Sequence, residues 1–214
     1  MHPNPIFAST PRDRNIAFAR DRAFGTLAVN GENGPLTAHI PFVLDEAGTR
    51  VELHLMRSNP ITRALSKPVK AVLTVLGPDG YISPDWYDLE DQVPTWNYIA
   101  VRICGTLTLE PQDKLHSFLD RLSTHMETKL APKPVWNSEK MSDGVMQRMM
   151  RSIAPFSMEV ECIEGTWKLN QNKPDTAREA AANRMRAFDV GQETSALADL
   201  MLVAMEKSKS SSDV

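Results

Sequence analysis

Hydrophobic positions along this chain keep two periods. Strict alternation governs residues 24–55, 96–109 and 156–165, and helical spacing governs 115–126, 145–153 and 194–205. Phe24-Gly25-Thr26-Leu27-Ala28-Val29 reads as a strand, Asn30-Gly31-Glu32-Asn33-Gly34 as a turn, and residues 36–44 as the returning strand. Residues 51–55 give a third strand. The mostly apolar, β-branched Ala71-Val72-Leu73-Thr74-Val75-Leu76 gives a well-buried fourth. Gly77-Pro78-Asp79-Gly80 carries turn residues, residues 96–109 make a long strand, and Gly105 within it marks a bulge or a close backbone approach. Hairpin following hairpin favours an antiparallel meander or barrel over a parallel sheet.

Helices fill the remainder. Thr10-Pro11-Arg12-Asp13 reads as a helix start with Thr10 as cap, Pro11 in the first position, and Ile16, Ala19 and Ala23 inward. Ser58 or Asn59 caps a short helix through residue 65. Residues 111–130 place Leu115, Phe118, Leu119, Leu122 and Met126 on one face. Residues 143–153 line up Val145, Met146, Met149, Met150 and Ile153 as a core-filling stripe. Two more helices follow, from Asp175 to near Val190 and over 194–205, the second with Ala196, Leu197, Leu200, Met201 and Ala204 on one side. The reading is a single domain over 1–206 with a disordered polar tail over 207–214.

Bulk properties narrow the function. A net charge of −3 gives no electrostatic case for broad nucleic-acid or membrane binding, and no window is long and apolar enough to span a bilayer. The N-terminus lacks a basic, apolar leader, which points to a cytoplasmic protein. The two cysteines, Cys104 and Cys162, sit in separate apolar segments as buried thiols, with no metal-ligand spacing around them. Neither a nucleophile elbow nor a zinc-protease or phosphate-loop motif is present. His39 and His54 can be read as an acid/base pair or as satisfied barrel histidines.

Three polar-aromatic knots remain, each at a strand end. All three tyrosines and two of the four tryptophans fall within 80–98, interleaved with Ser83, Thr95 and Asn97. That stretch is either a packed aromatic corner or a shelf for a flat, polar-edged ligand. Met56-Arg57-Ser58-Asn59-Pro60 joins an arginine to a capped helix start, which suits a phosphate as well as simple capping. Thr166-Trp167-Lys168-Leu169-Asn170-Gln171-Asn172 joins an aromatic, a cation and several amides. The ligand these imply together is planar and anionic, and flavin mononucleotide (FMN) satisfies both terms.

The motifs in 77–87, Val93-Pro94-Thr95-Trp96-Asn97-Tyr98 and 165–172 resemble the PaiB-type FMN-binding negative transcriptional regulators. His54-Leu55-Met56-Arg57-Ser58-Asn59-Pro60 and Ala38-His39-Ile40-Pro41-Phe42 fit the same pattern in the same order. The resemblance spans nearly the whole chain. It implies a mainly β fold with helices, the FMN-binding split β-barrel of flavin reductases and pyridoxamine-phosphate oxidases, and a homodimer with FMN at the subunit interface. It further implies that Arg57, Ser58 and Asn59 meet the phosphate. Trp96, Asn97 and Tyr98 would approach the ring with Tyr81 and Ser83 beside them, and Lys168, Gln171 and Asn172 would reach in from the other subunit. Two positions depart from the family pattern: Asp79-Gly80 replaces a His-Ala pair, and Asn170 stands where serine is usual. DNA binding rests on the family alone. An FMN-dependent oxidoreductase using NAD(P)H, and a flavin- or haem-binding module, are the alternative functions.

Overall fold

The structure, a computed structural model, describes residues 2–210, with side chains described through residue 204. Its elements in chain order are α1 (Arg12–Arg22), β1 (Phe24–Gly31), β2 (Gly34–Leu44), β3 (Arg50–Met56), α2 (Pro60–Ala64), β4 (Val69–Ile82), β5 (Thr95–Leu109), α3 (Leu115–Glu127), α4 (Val145–Met150), β6 (Ile153–Lys168), α5 (Asp175–Phe188), β7 (Gly191–Gln192) and α6 (Thr194–Ser210). The strands form one sheet in the order β1-β2-β3-β6-β5-β4-β7, and an additional β1–β4 pairing joins the first strand to the fourth. All registered pairs are antiparallel. Residues 207–210 of the expected tail continue α6, and residues 211–214 lie outside the described residues.

The chain folds as two compact units. One takes the residues up to Asn15, Leu76–Val101 and those from Glu164 onward; the other takes Ile16–Val75 and Arg102–Ile163. In the second unit the alternating strands bury Leu27, Phe42, Leu53, Leu73, Ile103 and Phe156. Ile16, Ala19 and Ala23 are buried there, as their spacing predicts. α3 buries Leu115, Phe118 and Leu122 against Val43 and Ile153. Gly105 marks a close approach, because a Cβ there would lie 2.0 Å from the Glu159 carbonyl oxygen.

In the first unit, Trp167 is buried and donates to Asn15 Oδ1 at 2.7 Å, while the Arg14 guanidinium lies 4.4 Å over its ring. α5 and α6 bury Ala181, Met185, Leu197 and Met201.

Several local expectations give way. Gly77-Pro78-Asp79-Gly80 is not a turn but the middle of β4. Asp79 and Gly80 pair with β7, and α5 packs so closely that a Cβ on Gly80 would lie 2.5 Å from Met185 Sδ. Sheet pairing and helix packing therefore outweigh the turn preference of these residues. The methionine stripe divides: Met150 and Ile153 are half-buried and pack against Leu115, Phe118 and Leu122 as expected, whereas Met149 is 58% exposed. Ala196 faces solvent although Leu197 and Met201 are buried. Pro11 rather than Thr10 stands at the start of α1, where its carbonyl accepts from Arg14 and Asn15. The two cysteines are half-buried rather than buried.

Candidate cofactor site

The β3–α2 corner is held by backbone and side chain together. Asn59 adopts an extended conformation and its Oδ1 accepts the Ile61 amide at 2.9 Å, with Pro60 in the first helical position. Arg57 is exposed yet anchored. Its backbone N–H donates to Ser152 O, its Nε donates to Arg151 O at 3.0 Å, and its Nη2 donates to Gln112 Oε1. Gln112 is itself oriented by donating to Met150 O at 3.0 Å. Two of the five guanidinium donors are thus used to fix the plane, and the rest of the fork remains for an acceptor from outside. Ser58 is exposed beside it.

In the other unit, alternation along β5 turns Trp96 and Tyr98 to one face and Asn97 to the opposite one. Trp96 is 47% exposed. Tyr81 meets the edges of both Trp86 and Trp96 at 6.2 Å between ring centroids, and Trp86 lies face to face with Phe188 at 5.5 Å. Ser83 is half-buried at the start of a short 3-10 helix, Pro84–Tyr87. Asn97 is fully buried, its Nδ2 directed to Met201 Sδ at 3.4 Å and its Oδ1 without a hydrogen-bond partner. Its expected approach to a ring is corrected accordingly: the pleat points it into α6.

The turn after β6 divides its polar groups similarly. Lys168 is half-buried, donates to Thr95 Oγ1 and lies 5.9 Å over the Phe7 ring. Burial pushes its ammonium below the usual lysine pKa. Asn170 is buried in the left-handed region at φ 60°, a conformation asparagine tolerates, and accepts from Tyr87 OH at 3.2 Å. Burial raises the Tyr87 pKa. Gln171 donates to Trp167 O and accepts the Leu169 amide at 2.8 Å, so its amide is spent within its own turn. That corrects the expectation that it reaches a ligand. Asn172 is exposed. Asp79 accepts the Gln192 amide at 3.2 Å, giving this departure from the family pattern a structural use in β7.

The two histidines do not form a pair. His39 bonds Thr26 Oγ1 at 3.0 Å, whereas His54 packs against Phe118 with its Nδ1 buried and unpartnered. Burial lowers the pKa of His54. Sequence reasoning missed the groups that hold Arg57, namely Gln112 and Arg151, which are distant in sequence and carry no motif; it named Thr95 but not its bond to Lys168.

The profile of a family described as "Putative FMN-binding domain" matches residues 1–162. This chain belongs to that family. FMN is its cofactor, and its fold is the split barrel expected. The domain is 28% identical over 178 residues to the protease synthase and sporulation protein PAI 2 of Bacillus subtilis, covering 82% of this chain and 84% of that one. Among solved structures, the FAD and haem binding protein of Mycobacterium smegmatis superposes with a TM-score of 0.57 at 18% identity, over 83% of this chain and 80% of that one. The flavocytochrome Anf3 of Azotobacter vinelandii gives 0.50 at 15% identity, over 78% and 72%. These superpositions establish the fold.

The side chains of this FMN-binding domain fit the cofactor chemically. An anchored guanidinium suits its phosphate. Exposed Trp96 and half-exposed Tyr81 offer aromatic faces to a flat ring, and Lys168 is a half-buried cation held by a hydroxyl group.

Proposed function

We propose that the chain is a flavin-dependent redox protein of the PaiB type that works as a cytoplasmic homodimer and holds the FMN phosphate at Arg57, Ser58 and Asn59. The observation that carries this reading is the Arg57 guanidinium, oriented by Arg151 and Gln112 with part of its donor fork unspent. Tyr81, Ser83, Trp96 and Tyr98, with Lys168 and Asn172, are assigned to the ring region by the resemblance alone. FMN supplies electron or hydride transfer when bound; the protein supplies orientation and electrostatics.

The test is a visible spectrum of the purified protein before and after incubation with FMN and desalting, repeated on Arg57→Ala. Retained oxidised-flavin absorbance is expected. FMN affinity should fall about 10- to 100-fold in the variant, the worth of a charge-assisted bond. Unchanged affinity removes Arg57 from the phosphate site, and absence of flavin in the natural protein ends the reading altogether.

A second reading, an NAD(P)H-dependent oxidoreductase, is favoured by Lys168. A cation already partly stripped of water gains most by meeting the negative charge that a reduced flavin carries. Rapid bleaching of bound flavin by NAD(P)H supports it. Regulation through direct DNA contact would instead appear as salt-sensitive promoter binding that changes on flavin reduction, and the net charge of −3 opposes it.

A further inference from the structure

Within the unit formed by Ile16–Val75 and Arg102–Ile163, alternation along β3 sends Val51, Leu53 and Leu55 into the core and Glu52 and His54 to the opposite face. α3 covers that face. Its Phe118 ring meets the His54 ring at 5.9 Å between centroids, and His54 Nδ1 is buried without a hydrogen-bond partner. The surroundings are apolar or already paired. α3 buries Leu115, Phe118 and Leu122, with Val43 of β2, Met150 of α4 and Ile153 of β6 packed against them. The residue opposite His54 on β6 is Pro155. The charged groups on the facing sides of β3 and α3, Glu52 and Arg121, are joined to each other by two bonds of 2.7 Å. At the foot of α3, Lys114 is held by Glu110 at 2.7 Å.

A neutral imidazole keeps one bare nitrogen, whereas the cation carries an N–H on both. Protonating His54 therefore places a charge and an unaccepted donor under an aromatic ring, with Glu52 already spent on Arg121. Burial holds the His54 pKa below its ordinary 6.5. The docking of α3 is thus at full strength above about pH 6.5 and weakens as the pH falls below that value. The other histidines of α3 act in the opposite sense. His116 lies 3.7 Å from Asp120, and His125 Nε2 bonds Arg20 O at 2.8 Å in the last turn, so a charge on either holds the helix.

The foot of α3 is also the hold on Arg57. Gln112 opens the 3-10 turn Gln112–Lys114 that leads straight into α3, and the Leu115 N–H donates to Gln112 O. Its Oε1 accepts from Arg57 Nη2, while its Nε2 donates to Met150 O at 3.0 Å and to Ile153 O at 3.3 Å. Met150 and Ile153 are residues on which α3 rests. A helix that lifts from His54 therefore pulls on the amide that fixes the guanidinium plane.

We propose that His54 is an acid-operated latch under α3: its protonation loosens the helix, slackens the grip of Gln112 on Arg57 and speeds release of the cofactor, a role that rests on the phosphate seat assigned to Arg57 above. The test compares the natural chain with His54→Leu and His54→Gln at about pH 8 and about pH 5.5. In the FMN-free natural chain, α3 amides should lose up to about tenfold of their hydrogen-exchange protection in acid, after correction for intrinsic rates, since one pH unit below 6.5 is worth a factor of ten. Amides of β1 and β4 should not follow, and neither variant should show the loss. FMN release, followed by recovery of its fluorescence on dilution, should quicken in acid up to about tenfold more in the natural chain than in the variants. Ionisation of the phosphate itself acts on all three proteins and cancels in that ratio. An equal acid response of the natural chain and both variants in either measurement overturns the proposal. So does a loss of protection spread evenly over the strands, which is unfolding of the whole unit. Failure of all three proteins to bind FMN at about pH 8 would instead end the phosphate seat, and the part of the latch in it, whereas FMN binding with one common acid response ends the latch alone.

Discussion

Single residues in this protein take their roles from where the pleat or turn sends them. Glu110 accepts from Lys114 at 2.7 Å, Ser157 at 2.6 Å and Arg50 at 2.5 Å, and the Lys114 and Ser157 bonds, opposed by desolvation, bring its pKa to about 2. A carboxylate whose folded pKa lies below its unfolded value stabilises the fold above about pH 4.5, and the contribution disappears as pH falls toward about 2. Glu110→Gln should therefore lose about 1–2 kcal/mol at pH 7 after allowance for solvent screening. In acid the difference from the natural protein should vanish, as urea midpoints across pH would record. Lys168 should behave in the opposite sense. Burial disfavours its charge, so Lys168→Met is expected to keep or raise the melting temperature while weakening FMN binding. A fall in both would make Lys168 a purely structural residue. Alternation along a strand places Trp96 outward and Asn97 inward once the strand is recognised. What Asn97 meets, Met201 some hundred residues later, follows from the placement of α6.

At the scale of elements, similar hydrophobic spacing has opposite outcomes in α3 and α4. α3 is 13 residues long and buries Leu115, Phe118 and Leu122, whereas α4 has six residues, brings only Met150 to that cluster and leaves Met149 exposed. Leu115→Ala should cost about 2–5 kcal/mol through the cavity it leaves. Met149→Lys should stay within about 0.5 kcal/mol, as substitutions on open surface do. Chemical denaturation separates the two, and a large loss in Met149→Lys would mean that α4 is covered in solution. β4 teaches the converse lesson. Its Gly-Pro-Asp-Gly run has every local mark of a turn, yet Asp79 and Gly80 pair with β7 and α5 rests on Gly80. Neither partner can be seen from within a local window. Likewise Gly105→Ala should cost about 2 kcal/mol or more, because the Glu159 carbonyl that it would strike is backbone and cannot swing aside.

For the molecule as a whole, the proposed homodimer should appear as twice the chain mass by light scattering, with one FMN per chain. A monomer that still binds FMN stoichiometrically would dismiss the interface site. The sequence by itself determined where most of the strands lie along the chain, the capped corner at Asn59 and the family, because alternation, capping chemistry and ordered motifs are local and survive without partners; that β3 pairs with β6 and β1 with β4 was decided by the fold. It also picked out Arg57, Trp96 and Lys168 as side chains of the right chemistry. The tertiary structure alone decided which of them are available: Arg57 steadied by Gln112 and Arg151, Gln171 consumed by its own turn, Asn97 turned into α6. It alone laid Phe118 of α3 against the His54 ring. The physical reason is range. Backbone preference and side-chain period act over a few residues, whereas burial, close approach and the pairing of buried polar groups depend on neighbours that only the folded chain supplies.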